Sequence, residues 1–515
     1  MMTHLPASRG LALLASGALC ALLGACSAAP SSVGTSAERA TATQGTDVLA
    51  LGCTDSPSDV YVTPDGLPPF TPDQRGNVVR CAPSGALSAS ALDTAARALG
   101  YEGPTLTSGA SIYRIAYLTQ RATLADGTVP GGISSAIVFL PDTPIAAQHP
   151  LVVAGHGSVG IADACAPSLG DVQASGTFLD DAHSVAIPLA GYGYTVIMPD
   201  YAGFGYGATT GWLLSEDEAH SLLDSTFAMQ QLLAPGSLTG DVVMVGHSQG
   251  GHAVLSAQAY ASSYGIAGNL VGVVAEAPLW FAGRSWGAAL TDVLGLRPTV
   301  SVDMLAYVVQ YFYGHGEVYD GAGHGTDMLQ SSVQGEVRSM LTTSCLDTLS
   351  SQIGTIAQHP SDLFSGTFDL SVATCADSGV CLGGDASKWW TRFHDDRPSL
   401  DPNGAPVVLI HGGEDATVTP AYAQCGIDKI SQDLAQNPGS MTATFCVDPL
   451  AIHGAVAGPG SDDAAGVTRR NADWINQWIA AQTLGAAAPA ACSPWTGIAA
   501  DGSAISCPSL PPNQD

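Results

Sequence analysis

The sequence predicts an α/β protein: a mostly parallel central sheet flanked by helices, with a large and mainly helical insert. Three observations carry that prediction. Short apolar runs of strand length recur between segments of helix length, the pattern of a parallel sheet covered on both faces. The chain has 515 residues, enough for a large core and two or three structural units. The alternation breaks once, over 278–402, and then resumes.

Taken in order, residues 111–119 alternate apolar and polar, as a half-exposed strand does. Residues 134–140 and 151–154 are apolar runs, and 194–198 is another that leads into Pro199-Asp200-Tyr201. Further strands are expected at 241–245, 270–275, 406–410 and 441–447. Helices are expected at 88–99, 215–233, 250–264 and 468–481. For the second of these, Ser215 is the expected N-cap, with Glu216, Asp217 and Glu218 in the first turn, where the helix dipole favours acids. The interval 278–402 holds aromatic helical stretches such as 303–313 and the pair Trp389-Trp390. It is too long for a structureless surface loop and reads as a cap inserted over the sheet.

Composition narrows the function. Hydrophobic residues are 46% of the chain and charged residues only 12%, so it folds. A net charge of −29 argues against a nucleic-acid partner, whose phosphates would repel it. At the N-terminus, Arg9 precedes an apolar stretch over 10–23 that is too short to stay in a membrane. It ends in Leu23-Gly24-Ala25-Cys26, which resembles the bacterial lipoprotein cleavage box. That resemblance implies lipidation of Cys26, and several acyl chains there would hold the protein on a membrane. Ser27 leans toward the outer membrane or cell surface; the alternative is an ordinary signal peptide and a secreted or periplasmic protein. The expected organisation is a signal peptide at 1–25, a Ser/Ala/Thr/Gly-rich tether at 26–52 and a lead-in at 53–107. The α/β core then takes 108–277 and 403–483, the cap 278–402, and a disulfide-looped tail 484–515.

Of the 12 cysteines, Cys20 falls in the signal peptide and Cys26 is the expected lipid anchor, and the ten that remain imply disulfides in an exported chain. Cys375–Cys381 and Cys492–Cys507 would close local loops; Cys53–Cys81 and Cys425–Cys446 are the other candidate pairs. No C-x-x-C pair occurs, which argues against a zinc ribbon or a thioredoxin-type site, and no metal is expected.

The chemistry centres on Gly246-His247-Ser248-Gln249-Gly250, a G-x-S-x-G that follows an apolar run and opens a helix. That context is what a nucleophile elbow needs: a turn so sharp that the serine stands exposed and only glycines fit beside it. A serine hydroxyl needs a base, and the base an orienting acid. On an α/β-hydrolase sheet the order is Ser, acid, His. After the strand at 406–410, the loop His411-Gly412-Gly413-Glu414-Asp415 offers Asp415 as the acid, with Glu414 the competitor. After the last strand, His453 is the expected base. His247 and His252 are nearer in sequence, but His247 should point away from the serine and His252 should pack or cap. His315, His324 and His394 fall in the cap. An oxyanion hole would draw one donor from the Gln249 backbone amide and a second from the loop Gly155–Gly160. There Ser158 is preferred, then Gly157, then Asp163 further on.

Cys165-Ala166-Pro167-Ser168 follows that loop and Pro199-Asp200-Tyr201 ends the next strand. Together with G-H-S-Q-G-G and the large insert before the acid, they resemble the secretory lipase family, the Candida antarctica lipase A type of α/β-hydrolase, over about 112–481. The resemblance implies an α/β-hydrolase fold, hydrolysis of acylglycerols and simpler esters without a cofactor, and a Cys165–Cys345 disulfide from this loop to the cap. The lipidated N-terminus and extra cysteines depart from the fungal pattern and leave the substrate range open. The expectation is therefore a serine lipase or carboxylesterase. The alternatives are another activity on the same fold (peptidase, polyester depolymerase or acyltransferase) or a non-enzymatic surface lipoprotein that binds lipid or cell-wall polymer. The aromatic set Trp280, Phe281, Tyr307, Tyr311, Phe312 and Tyr313 would line an acyl tunnel or pack the cap core.

Overall fold

The structure, a computed structural model, describes residues 49–67, 69–172, 178–281, 283–290, 302–381, 383–454, 467–499 and 502–507. The expected signal peptide, Cys26, nearly all of the tether and the last residues of the tail lie outside the described residues.

Among the described residues, nine strands form one sheet: β1 (Val78–Leu87), β2 (Ala110–Gln120), β3 (Gly131–Pro141), β4 (His149–Gly155), β5 (Thr195–Ala202), β6 (Leu238–His247), β7 (Asn269–Glu276), β8 (Val407–Gly412) and β9 (Ala443–Asp448). Their order is β1-β2-β3-β5-β4-β6-β7-β8-β9. The pairings from β1 through β3 to β5 are antiparallel, and every pairing from β5 onward is parallel. This is the α/β-hydrolase fold. Because β4 lies between β5 and β6, the loops leaving these three strands meet at one edge, where ligands bind in open α/β sheets.

Alternation along the strands divides the core into two layers. Val152, Ala154, Val243 and Val245 face α1 (Ala89–Ala98), α2 (Phe178–Gly191) and a C-terminal helix, Val467–Thr483. Leu151, Val153, Val242 and Met244 face α3 (Ser215–Leu232), α4 (Gln249–Tyr264) and the helix Pro420–Gln436. Both faces are buried, which is why the central strands read as unbroken apolar runs.

The interval 278–402 contributes no named strand among the described residues. It supplies α5 (Gly283–Leu290), α6 (Val302–His315), α7 (Gln334–Thr343), α8 (Leu346–Ile356), α9 (Pro360–Leu363), α10 (Gly366–Ser378) and α11 (Gly384–Asp395). The helices Pro420–Gln436 and Val467–Thr483 follow as α12 and α13. A third core, containing Leu305, Val309, Phe312, Phe364 and Trp389, is built mostly from these helices and is joined by Ile161, Trp212, Leu213 and Val418 from outside the interval.

Several expectations are corrected. β1 went unforeseen because Pro83 and Gly85 interrupt its pattern; it is an edge strand with an irregular register across that very segment. α2 was hidden by Pro188 inside it. β2 is mostly buried, not half-exposed: the polar tips among its residues find partners, as when the Tyr117 hydroxyl donates to the Ser221 carbonyl at 2.7 Å. Ser215 is not the N-cap of α3. Leu214 holds that place without a side-chain cap, and the Ser215 hydroxyl instead donates to the Asp395 carbonyl at 2.6 Å.

The disulfides are Cys53–Cys81, Cys165–Cys345, Cys375–Cys381, Cys425–Cys507 and Cys446–Cys492. The last two replace the expected Cys425–Cys446 and Cys492–Cys507. No disulfide joins the two tail cysteines to each other. It runs antiparallel along β9, with Val447 N–H to Ser493 O and Trp495 N–H to Phe445 O both at 2.9 Å, which sets Cys492 against Cys446. Its continuation then carries Cys507 to Cys425 on α12.

Candidate active site

The elbow is built by close packing that glycine alone permits. A Cβ on Gly250 would stand 2.0 Å from the Gly155 carbonyl oxygen, and one on Gly246 would stand 2.1 Å from the Gly250 carbonyl oxygen. Helix α4 therefore starts directly against the end of β4. Between these glycines Ser248 takes φ +57° and ψ −117°, a left-handed geometry that is costly for a residue with a side chain. Its N–H is held by the Glu276 carbonyl at 2.9 Å.

Across 205 residues of sequence, the chain brings Ser248, His453 and Asp415 into one line. His453 Nε2 lies 2.9 Å from Ser248 Oγ, and His453 Nδ1 lies 2.8 Å from Asp415 Oδ2. Asp415 is buried, and its other oxygen accepts the Thr417 and Val418 N–H groups, each at 2.9 Å. Burial pushes this carboxyl up, but His453, His411 and the Thr417 N–H together outweigh it and hold Asp415 below the usual carboxylate range. With Nδ1–H donating to a carboxylate, His453 Nε2 has its lone pair free to accept the serine proton. Glu414, the competing acid, is exposed, and its N–H donates to the Ala451 carbonyl at 3.0 Å.

The other histidines have structural partners. His247 Nε2 sits 2.8 Å from the His453 carbonyl, with the two rings 4.7 Å apart, so it braces the turn that carries His453. His411 Nε2 donates to the Val418 carbonyl at 2.7 Å, and burial drives its pKa down to about 4, leaving it neutral 3.7 Å from Asp415. His252 is fully enclosed; Nδ1 meets Glu218 Oε2 at 2.6 Å and Nε2 meets the Asp396 carbonyl at 2.6 Å. The Asp396 carbonyl can only accept, so Nε2 carries a proton, and a second proton is shared between Nδ1 and the Glu218 carboxyl, whose own pKa burial pushes up. Burial opposes a charged ring, but Glu218 and Asp396 prevail and raise its pKa. His315 is buried in the cap against Asp396 at 2.7 Å, His324 is exposed beside Asp327, and His394 bonds the Trp390 carbonyl at 2.7 Å. The buried Glu218–His252 pair was missed from the sequence because its partners lie on two different helices.

Among the oxyanion candidates, Gly157 runs alongside Ser248: a Cβ there would lie 3.7 Å from Ser248 Cβ. The neighbouring Ser158 Oγ accepts the Trp212 indole N–H at 2.9 Å. Asp163 is exposed, and its carboxylate accepts the Gly205 N–H at 3.0 Å. The Gln249 side chain is spent on Glu218, at 2.8 Å. A narrow apolar pocket lies against Ser248, lined by Trp212, Leu279, Phe281, Trp286, Met304, Tyr307 and Thr417. Of the six aromatics expected to line a tunnel or fill the cap, Phe281 and Tyr307 border this pocket. Tyr311, Phe312 and Tyr313 are cap core, and Trp280 packs under α12. Among the described residues, no cluster of three or more His, Cys, Asp or Glu could hold a metal ion.

The segment carrying the elbow is also the one that a family model matches. Residues 171–280 match the secretory lipase family. The resemblance read from the motifs is thus borne out, and the match supports an ester hydrolase. No curated relative matches the chain. Among solved structures, it is similar to Candida antarctica lipase A in its closed state, at 16% identity and a TM-score of 0.54, covering 78% of this chain and 83% of that one. A putative hydrolase from Legionella pneumophila matches at 16% identity and a TM-score of 0.55, over 78% of this chain and 98% of that one. The rice cell wall degrading esterase of Xanthomonas oryzae matches at 16% identity and a TM-score of 0.51, over 80% and 99%. At such identity these neighbours speak for the fold alone. The likeness to secretory lipases rests on the match over residues 171–280.

Proposed function

We propose that this secretory lipase relative is an exported serine ester hydrolase acting on carboxylic esters or acylglycerols. The observation that carries the reading is the unbroken hydrogen-bonded line from Ser248 through His453 to Asp415. Ser248 Oγ attacks the ester carbonyl while His453 Nε2 takes its proton and then passes it to the leaving alcohol. Asp415 keeps the imidazole in the required tautomer and stabilises its charged form. The Gln249 amide and an amide of the Gly157–Ser158 stretch receive the oxyanion, Ser158 remaining the preferred donor. Water, activated by the same histidine, releases the acid. No cofactor enters this scheme.

The pocket against Ser248 is narrow and walled by Trp212, Phe281, Trp286 and Tyr307, which favours short or compact acyl groups. In this reading residues 278–402 serve as a cap on a core of 108–277 and 403–483, and Cys26 anchors the mature chain to a membrane. The test is a panel of p-nitrophenyl esters of graded chain length, with emulsified triglyceride alongside. Ser248-dependent turnover that peaks at short chains is expected. Absence of such turnover on every ester would refute the enzyme reading.

A further inference from the structure

The loop after β4 runs from His156 to Gly170 and carries Gly157 and Ser158 past the nucleophile. Two consecutive residues at the end of β5 hold its two ends. Asp200 is fully buried, and its Oδ1 accepts the Ser168 N–H at 2.8 Å. Its Oδ2 accepts the Ser168 hydroxyl and, at 2.6 Å, the Ser135 hydroxyl from the irregular step where β3 pairs with β5. Ser168 is held further: its Oγ accepts the Tyr61 hydroxyl at 2.6 Å, and Arg114 donates to the Ser168 and Gly170 carbonyls at 2.5 and 3.1 Å.

Tyr201 takes the opposite end. Its hydroxyl donates to the His156 carbonyl at 3.0 Å, and its ring lies 4.3 Å from the His156 ring. The backbone at Tyr201 has φ +68°, a conformation aromatic residues rarely adopt. Strain of this kind persists only where the surroundings enforce it, and it clusters at functional sites. Between the pinned ends, Trp212 holds Ser158, the Leu346 N–H holds the Val159 carbonyl at 2.9 Å, and Cys165 is bonded to Cys345.

We propose that Asp200 and Tyr201 are positioning residues for acyl transfer, fixing both ends of the His156–Ser168 loop so that its amides face the oxyanion formed at Ser248. The proposal rests on the serine-hydrolase reading above. It gives the two motifs C-A-P-S and P-D-Y one shared task, since Asp200 binds the serine of the first and Tyr201 the start of the loop leading to it. A misplacement of about 1 Å at such a site can cost on the order of a hundredfold in rate. Loss of one tie among several is expected to cost about tenfold, the scale of a single hydrogen bond.

The test uses Tyr201→Phe, Ser168→Ala and Asp200→Asn in the full chain. Three quantities are measured: kcat and KM on a short p-nitrophenyl ester, the inhibition constant of phenylboronic acid, and the melting temperature. The boronic acid adds to Ser248 as a tetrahedral anion and so reports on the oxyanion site without turnover. Expected is a kcat lowered about tenfold, KM within about twofold, and boronate affinity weakened in step with kcat/KM. A merely structural role would lower the melting temperature and leave boronate affinity per folded molecule unchanged; that result overturns the proposal. Should Asp200→Asn not fold, the two milder variants decide in the same way. An active wild type with unaltered variants overturns the clamp alone. A wild type without Ser248-dependent turnover overturns the clamp and the hydrolase reading together.

Discussion

Replacing His252 by alanine separates a base from a structural cation. The Glu218 carboxylate is fully buried, with Oε2 against His252 at 2.6 Å and Oε1 accepting from Gln249 Nε2 at 2.8 Å and from the Leu213 N–H at 2.9 Å. His252→Ala leaves Oε2 without its charged donor and deprives the Asp396 carbonyl of the second His252 N–H. Removing one partner of a buried pair costs about 3–5 kcal/mol. Because Oε1 keeps both of its donors, the lower half of that range, about 3–4 kcal/mol, is expected. For a core of this size that is a fall in melting temperature of roughly 5–15 °C. Removing the orphaned charge as well, in His252→Ala/Glu218→Gln, should recover part of the loss.

The pH dependence has a definite sign. The folded-state pKa of His252 is raised above 6.5, so its stabilising contribution is complete below pH 6.5 and is lost as pH rises through the raised value. The gap between wild type and His252→Ala should therefore narrow across that upper window. Urea melts at several pH values measure the stability, and active-site titration gives turnover per folded molecule. Turnover per folded molecule is expected to stay within about tenfold of wild type, well short of the loss seen when a triad member is removed. A variant as stable as wild type but slower by about a thousandfold or more would make His252 a catalytic group and refute the reasoning.

Other perturbations follow from the same geometry. Ser248→Ala and His453→Ala should each lower kcat by about 10⁴–10⁶, and Asp415→Asn by about 10⁴, with near-ultraviolet circular dichroism unchanged. Gly250→Ala would put a methyl group 2.0 Å from the Gly155 carbonyl oxygen; soluble yield or activity should collapse, and a fully active protein would contradict the elbow packing. Trp286→Ala enlarges the pocket beside Ser248. The ester panel should then shift toward longer chains, each added methylene contributing up to about 0.8 kcal/mol, or about fourfold, in kcat/KM.

Much of this arrangement was legible in the sequence because it depends on local grammar. Gly246 and Gly250 flank Ser248 at the only spacing the turn allows, and His453 was picked out of thirteen histidines by its place after the last strand. Asp415 preceded the structure for the same reason, at the end of a buried strand. What stayed hidden was tertiary. Pro83 and Pro188 disguised a strand and a helix that tolerate them, one at a sheet edge and one within a helix. The tail's cysteines were paired by nearness in sequence, whereas their partners were chosen by the path of the tail along β9. Pro199-Asp200-Tyr201 was visible as a motif, but its contacts to Ser168 and His156 cross 32 and 45 residues that no periodicity reports.

The place of β4 in the sheet has a consequence in time. Its neighbours are β5 and β6, and both follow it in the chain. While synthesis proceeds from the N-terminus, residues 149–155 have no edge to join until at least residue 195 has appeared, and none on the other side until residue 238. The loop that follows β4 cannot settle before the strand does, nor can Gly155 receive Gly250 before α4 exists. The loop after β4 and the turn at Ser248 are thus born apart and are joined only when a later pair of strands closes on one that was waiting, with Asp415 and His453 arriving later still, after β8 and β9.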